Sequence, residues 1–351
     1  MNQTLQAARS LVRAGLDHFF AQSPDETALF FTPWGPDVQA RLHEYTVRGK
    51  LIRGALVPFT ETLFTDPTST EDTQRRAAAV QAGVAMELMQ SFLLIHDDIM
   101  DQDDTRRGGP AVHAQYQELQ QSSQYGISMG ICAGDISAFL AVQQIAELPL
   151  PADLVQRLIA LFSREIVTVG LAQMQDVHHG YVKDASHDAV MQVYTYKTGR
   201  YTFSLPMMTG ALIAGASDEQ VAVLATLGEH LGRIFQIRDD QLGLFGESEV
   251  IGKPVGSDVR ENKKTIFREI LRERVPADDN VLQFFGAPSI TQENLRAVQE
   301  RMRETGVIDH VEKLVAQEGE AVAQCIADLQ LNPAAEHEMR ELLRYNVERT
   351  V

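Results

Sequence analysis

Cysteine is scarce in this chain of 351 residues: Cys132 and Cys325 stand far apart, with no CxxC pair and no histidine at ligand spacing. That removes a zinc site and a disulfide framework, suits a reducing compartment, and leaves both residues as expected buried thiols. Positive charge is short as well, with 31 Lys and Arg against 48 Asp and Glu and a formal net charge of −17. Such a balance disfavours bulk attraction to nucleic acid or to anionic lipid. The N-terminal stretch MNQTLQAARSLVRAGLDHFF is amphipathic without a continuous apolar h-region, and the longest apolar run, LPMMTGALIAGA at 205–216, is too short to cross a bilayer. The expectation is a cytoplasmic chain, neither secreted nor stably inserted in a membrane, with no nucleic-acid partner.

Alternating, β-branched segments are missing, whereas apolar residues recur at helical spacing almost everywhere, as in RRAAAVQAGVAMELMQSFLLIHDDIM and DEQVAVLATLGEHLGRIFQIRDDQLGLFG. Turn-forming clusters such as FTPWGPD, TDPTSTED, RRGGP, ELPLPAD and LNPAAE punctuate the pattern. The punctuation predicts an all-α bundle of roughly a dozen helices, with N-caps such as Ser217 and Thr291. Nothing marks a second domain, so the chain reads as one domain over 1–351, with residues 1–40 as an N-terminal helical extension.

Within FLLIHDDIMDQDDTRRGGP, five aspartates (Asp97, Asp98, Asp101, Asp103, Asp104) fall in eight positions directly after an apolar run. Asp97 and Asp101 are one helical turn apart and share a face if the helix continues through them. A solvated helix end explains them poorly, because acids at a C-terminal end oppose the macrodipole and the helix from Ala77 to Ile95 is too apolar for a surface. A divalent cation resolves the conflict. Hard oxygen ligands with few others suit Mg²⁺, which keeps its waters and completes its shell from substrate phosphates.

FQIRDDQLGLFGESEVIGKPVGSDVRENKKT repeats the logic, running a second apolar helix into Asp239 and Asp240 and then into a loop with Lys253, Lys263 and Lys264. The chain has only seven lysines, and five of them (Lys50, Lys197, Lys253, Lys263, Lys264) lie in these motif segments. Lysine is a compact point charge suited to phosphate, and Arg106 and Arg107 add forked donors beside the first acidic pair. Two such sites acting together would hold several Mg²⁺ ions around one diphosphate.

These segments resemble, in order, the motifs of the trans-isoprenyl diphosphate synthases, the polyprenyl synthetase family. HDDIMDQDDTRRGGP is similar to its first aspartate-rich motif, RGKLIRGAL to its GKxxR segment, YKTGRYTFSLP to its Lys-Thr helix, and FQIRDDQLG with GKPVGSDVRENKKT to its second aspartate-rich motif and lysine loop. The resemblance implies the isoprenoid synthase fold around a prenyl-chain pocket, a homodimer, and three Mg²⁺ ions per active site. Asp97, Asp101 and Asp239 would be the metal ligands, supported by Asp98, Asp240 and Asp176. Arg106, Lys197, Lys253, Lys263 and Gln173 would hold the allylic diphosphate. Thr198 and Gln236 would join them near the reacting carbon, and with Lys197 they form the catalytic set. Lys50, Arg53, Gln90 and Arg107 would bind isopentenyl diphosphate. Two departures stand out: the second motif has Gly243 where a third aspartate is usual, and Gln90 occupies a position that is histidine in many relatives.

The implied reaction is ionisation of an allylic diphosphate and attack on the cation by the isopentenyl double bond. Fixed cations stabilise the departing charge, so the protein needs no nucleophile of its own. His96 reads as a helix-end histidine with a local hydrogen bond, and His178 and His179 point about 100° apart on a helix, too far to form a metal pair. Phe92, Leu93, Met89 and Met86 would line the tail pocket and set product length. Phe92, five positions before the motif, with Leu93 at the fourth, resembles the pattern of enzymes that stop at geranylgeranyl (C20) diphosphate, with farnesyl (C15) the runner-up. A terpene cyclase and a noncatalytic subunit are the competing readings. DDQLGLFGE lacks a cyclase's Asn/Ser/Glu metal pattern, and both acidic pairs are intact.

Overall fold

The amphipathic N-terminus folds as α1 (Gln3–Ala21), whose Leu5, Ala8, Val12, Leu16 and Phe20 form one buried stripe at helical spacing. This is a computed structural model that describes residues 3–21, 33–66, 70–246, 256–287 and 289–348. The chain forms two compact units, one of residues Asn2–Leu161 with Pro206–Ser217, the other of Phe162–Leu205 with Asp218–Val351.

In the first unit, α2 (Trp34–Val47) and α3 (Ile52–Phe64) precede a 32-residue helix, α4 (Thr70–Asp101). α4 is the axis of this unit: α1, α2 and α3 pack on it, as does α6 (Ser123–Ala146), while α5 (Val112–Gln120) packs on α6. Small residues allow the close approach. A Cβ on Gly54 of α3 would stand 2.6 Å from the Gly83 carbonyl of α4, so these helices cross at bare backbone. Between α4 and α5 the RRGGP turn closes a short antiparallel hairpin, β1 (Thr105–Arg106) with β2 (Gly109–Pro110). α9 (Leu205–Ala214) has most of its length in this unit, and Ala211, Leu212 and Ile213 are buried in its core.

The second unit takes in most of α7 (Ala152–Tyr181), then α8 (His187–Val193) and an 11-residue π-helical segment, Tyr194–Ser204. α10 (Asp218–Phe245) lies along that segment. A Cβ on Gly232 would come within 2.0 Å of the Gly199 Cα, so contact of this kind requires glycine at position 232. α11 (Ser257–Arg260), α12 (Ile266–Arg274), a 3-10 turn at Asn280–Phe284, α13 (Gln292–Glu304), α14 (Val307–Asp328) and α15 (Pro333–Val347) complete it. Thr291 caps α13 in a capping box with Asn294, as its residue type predicts. The fold is all-α.

Three sequence expectations need correction. The helices Asp72–Asp101 and Ser123–Ala146 are long and apolar enough, by length and composition, to cross a membrane. Scattered polar residues break the run in each without lowering its mean hydropathy much, which is why 205–216 stood out instead. The α4 window is 72% buried inside its unit and is core, whereas the α6 window is only 33% buried. Neither cysteine is a fully buried thiol: Cys132 lies on the outward side of α6 and is exposed, and Cys325 on α14 is half-buried. His96 finds its partner across the unit, at the Ile131 carbonyl of α6 (3.2 Å), because α6 passes close beside it.

Candidate active site

α4 continues through both acids of the first motif, so Asp97 and Asp101 stand one turn apart at its end. Their neighbour Asp98 turns inward and is fully buried. It accepts hydrogen bonds from the Tyr45 hydroxyl (2.7 Å) and from Arg106 Nε (2.5 Å). Burial raises its carboxyl above the usual range, and Arg106 and Tyr45 oppose that rise. Arg106 also reaches Asp103 at 3.3 Å and Asp97 at 3.8 Å. The hairpin thus ties the arginine to the acidic helix end, leaving Asp98 as the internal anchor and Asp97 and Asp101 as the outward pair.

Basic residues gather around the start of α3. Lys50 is exposed just before it and Arg53 lies in its first turn. A Cβ on Gly49 would meet Arg107 Nη1 at 2.3 Å, so the Arg107 guanidinium rests on the backbone next to Lys50. Gln90 is buried on α4, and among the described residues its Oε1 has no hydrogen-bond partner. A buried acceptor of that kind is uncommon without a ligand or water to meet it.

The second unit repeats the arrangement of the first. Asp240 on α10 is buried, accepting from the Tyr194 hydroxyl and from Gln236 Nε2 (2.9 Å), while Asp239 beside it is exposed. Gln236 Oε1 in turn accepts from the Thr198 hydroxyl at 3.0 Å, and Tyr194 accepts from the Ile266 amide at 3.0 Å. Burial, the largest influence, pushes the Asp240 carboxyl up to about 7. Lys197 donates to Asp176 at 2.5 Å, and Gln173 lies one turn before Asp176 on α7. The π-helical segment carries Tyr194, Lys197 and Thr198, and such segments gather at functional sites because their wider turn re-aims side chains. Lys263 lies 3.9 Å from Asp258, and Lys264 is buried and donates to the Asn262 carbonyl. Lys253 lies outside the described residues.

Gly243 leaves room that another acid fills. A Cβ there would stand 3.0 Å from Asp258 Oδ2, and the Gly256 amide bonds the Gly243 carbonyl at 3.0 Å. The carboxylate missing from the motif therefore has a neighbour in Asp258, which the sequence reading did not single out. Tyr45 and Tyr194 were also missed. Tyr194 stands three residues before Lys197, and Tyr45 five before Lys50, so proximity to the motif lysines was the available signal.

Of the proposed tail-pocket residues, Met86 and Met89 are buried, Phe92 and Leu93 half-buried. The Phe92 ring meets His96 edge-on, with centroids 4.8 Å apart. His178 is exposed, while His179 is buried and bonded to Gln175 at 2.7 Å, so the two do not form a metal pair. Among the described residues no three His, Cys, Asp or Glu side chains form a ready metal cage.

The polyprenyl synthetase family matches residues 36–302 of this chain. A geranylgeranyl diphosphate synthase of Sulfolobus acidocaldarius is 34% identical over 261 residues, 73% of this chain and 74% of the relative. A geranylfarnesyl diphosphate synthase of Aeropyrum pernix is 27% identical over 317 residues, 88% of this chain and 93% of its own. Among solved structures, the geranylgeranyl pyrophosphate synthase of Corynebacterium glutamicum, in complex with isoprenyl diphosphate and magnesium, superposes with a TM-score of 0.83 at 26% identity, covering 99% of both chains. The order of motifs, the helical fold and these likenesses agree, and the chain belongs to the polyprenyl synthetase family.

Proposed function

We propose that the protein is a Mg²⁺-dependent prenyltransferase that condenses isopentenyl diphosphate with an allylic diphosphate, releasing geranylgeranyl diphosphate as its main short-chain trans product. One observation carries the reading: in each unit a buried aspartate is locked by a tyrosine beside an outward aspartate, Asp98 with Asp97 and Asp240 with Asp239. Oxygen ligands of this kind suit Mg²⁺, which would supply Lewis-acid stabilisation of the departing diphosphate. Asp97, Asp101 and Asp239 hold three ions in this reading, with Asp98, Asp240 and Asp176 in support. Arg106, Lys197, Lys253, Lys263 and Gln173 hold the allylic diphosphate.

Thr198 and Gln236 aim fixed dipoles at the reacting carbon. Their hydrogen bond to each other and the link from Gln236 to Asp240 pre-set that aim, so little reorganisation accompanies charge separation. Lys50, Arg53, Arg107 and Gln90, whose side-chain Nε2 can donate to a phosphate oxygen, form the isopentenyl subsite, and the two units serve as one catalytic domain. The chain acts in the cytoplasm as a homodimer. Its outward α6 face supports the dimer, since Ile131, Phe139 and Val142 are 43%, 75% and 40% exposed on one side of the helix.

Incubating the purified protein alone with both diphosphates and Mg²⁺, followed by chromatography of the dephosphorylated products, tests the reading. A linear C20 alcohol supports it. A cyclic hydrocarbon, or no product without a second protein, refutes it, and a C15 or C25 alcohol corrects the length alone. Light scattering of the wild type and of Phe139→Lys tests the dimer separately.

A further inference from the structure

α3 begins without a cap from its own sequence. Leu51 at its N-cap is left-handed, with φ of 53°, and offers no side-chain acceptor. The first amides of a helix have no partner within it. Gly54, the third residue of α3, finds one on another helix: its N–H donates to Glu87 Oε1 of α4 at 2.7 Å. The bare crossing of Gly54 and Gly83 makes this reach possible, because Glu87 follows Gly83 by one turn and comes to lie over the start of α3. A Cβ on Gly54 would also strike Glu87 Cγ at 2.8 Å. Glu87 is 2% exposed. Burial raises its carboxyl, and the Gly54 amide and the charges of Arg53, Arg107 and Arg9 oppose that rise.

We propose that Glu87 is a positioning residue for isopentenyl diphosphate: it fixes the first turn of α3 and thereby sets Lys50 and Arg53 on the subsite. The inference rests on the assignment of Lys50 and Arg53 given under the proposed function. A buried acceptor over a helix N-terminus meets both an orphan amide and the positive end of the helix dipole. Glu87 touches neither substrate nor metal in this reading; it acts through α3.

Two conservative variants separate position from charge. Glu87→Gln keeps the length and a side-chain oxygen for the Gly54 amide but removes the charge. Glu87→Asp keeps the charge but is one methylene shorter and draws the acceptor back. Losing a buried hydrogen bond of this kind is expected to raise KM for isopentenyl diphosphate about 10-fold in Glu87→Asp. In that variant kcat and the allylic KM are expected to stay within about 2-fold, and Glu87→Gln is expected to stay within about 3-fold in all three constants. The reverse order, with Gln harmful and Asp neutral, overturns the proposal, as does equal damage to both Michaelis constants. Arg53→Ala run alongside distinguishes the two levels. If it raises the isopentenyl KM while Glu87→Asp does not, the positioning role fails and the subsite stands. If Arg53→Ala leaves that KM unchanged, the subsite assignment itself fails. Amide hydrogen exchange in the wild type adds a test without any variant: strong protection of the Gly54 amide is expected, and free exchange overturns the proposal.

Discussion

The Tyr194 hydroxyl donates to the carboxylate of Asp240, 46 residues away, just as Tyr45 donates to Asp98 over a separation of 53 residues. In each case the second aspartate of an acidic pair is turned into the core and saturated with donors. The first aspartate is left facing outward from the helix with its backbone fixed. This division explains why two adjacent carboxylates are tolerated: one is satisfied internally, and its neighbour faces outward.

Asp240 gives this arrangement a pH signature. Its carboxyl is raised by burial to about 7, from an ordinary value of 3.8. Between these values the folded protein holds a proton that the unfolded chain has released, so stability falls as pH rises through the window and is flat below it. The metal-free wild type is expected to lose on the order of 2 to 4 kcal/mol from this group between about pH 4 and pH 7. Asp240→Asn cannot titrate and is expected to lack that slope. Urea unfolding of both proteins with chelator across this range checks it, and parallel pH profiles would count against it.

Metal removal should abolish turnover. Chelation is expected to stop product formation and added Mg²⁺ to restore it. Asp97→Ala, Asp101→Ala and Asp239→Ala are each expected to cost about 10³-fold in kcat, corresponding to several kcal/mol of lost transition-state stabilisation. Single-turnover kinetics at saturating substrate checks the chemical step directly, and a metal-independent rate would sink the assignment.

Gly243 and Asp258 are neighbours, and a carboxylate at either position is expected to serve the same purpose. With Asp258 already beside Gly243, Gly243→Asp is expected to crowd two carboxylates and cost about 1 to 3 kcal/mol in stability. Asp258→Ala is expected to raise the Mg²⁺ concentration for half-maximal rate by about 10-fold. The double variant Gly243→Asp/Asp258→Ala should return most of that loss. Magnesium titrations of the three variants and their melting temperatures decide it; a double variant no better than Asp258→Ala would show that the two positions are not exchangeable.

Much of this was legible in the sequence because the signals are local. The apolar run into Asp97 and Asp101 and the YKT segment are each contained within a few turns of one helix, and the clustered lysines fall within a short stretch of sequence. What escaped depends on partners distant in sequence. Nothing around LHEYTVRGK announces that Tyr45 will meet Asp98, and Glu87 reads as one polar residue in an apolar helix until Gly54 is seen beneath it. The π-helical segment at Tyr194–Ser204 was hidden for a different reason, since its residue types are those of an ordinary helix and carry no signal of i→i+5 bonding. Cys132 was misjudged because hydrophobic neighbours usually mean burial, and on α6 they form an exposed face instead.

The last prediction concerns product length, through the depth of α4 behind Asp97. On an ideal helix Leu93 lies about 40° around from Asp97 and roughly 6 Å below it, whereas Phe92 lies about 140° around and roughly 7.5 Å below. Leu93 therefore shares the metal-facing side, while Phe92 turns toward His96 and meets its ring edge-on. An aromatic at position 93 would put its bulk one turn below the reacting carbon, so Leu93→Phe is expected to shorten the main product from C20 to C15. Phe92 is half-buried, and its removal frees space beside His96, on the flank of the Asp97 face. Phe92→Ala is expected to lengthen the product to C25 or beyond, with His96 free to turn into the vacated space. Chromatography of dephosphorylated products from both variants, at equal conversion, reads the two shifts independently. If Leu93→Phe shortens the chain and Phe92→Ala leaves it at C20, the floor is set on the Asp97 face, where Met86 lies two further turns down. If neither changes it, α4 does not limit chain growth.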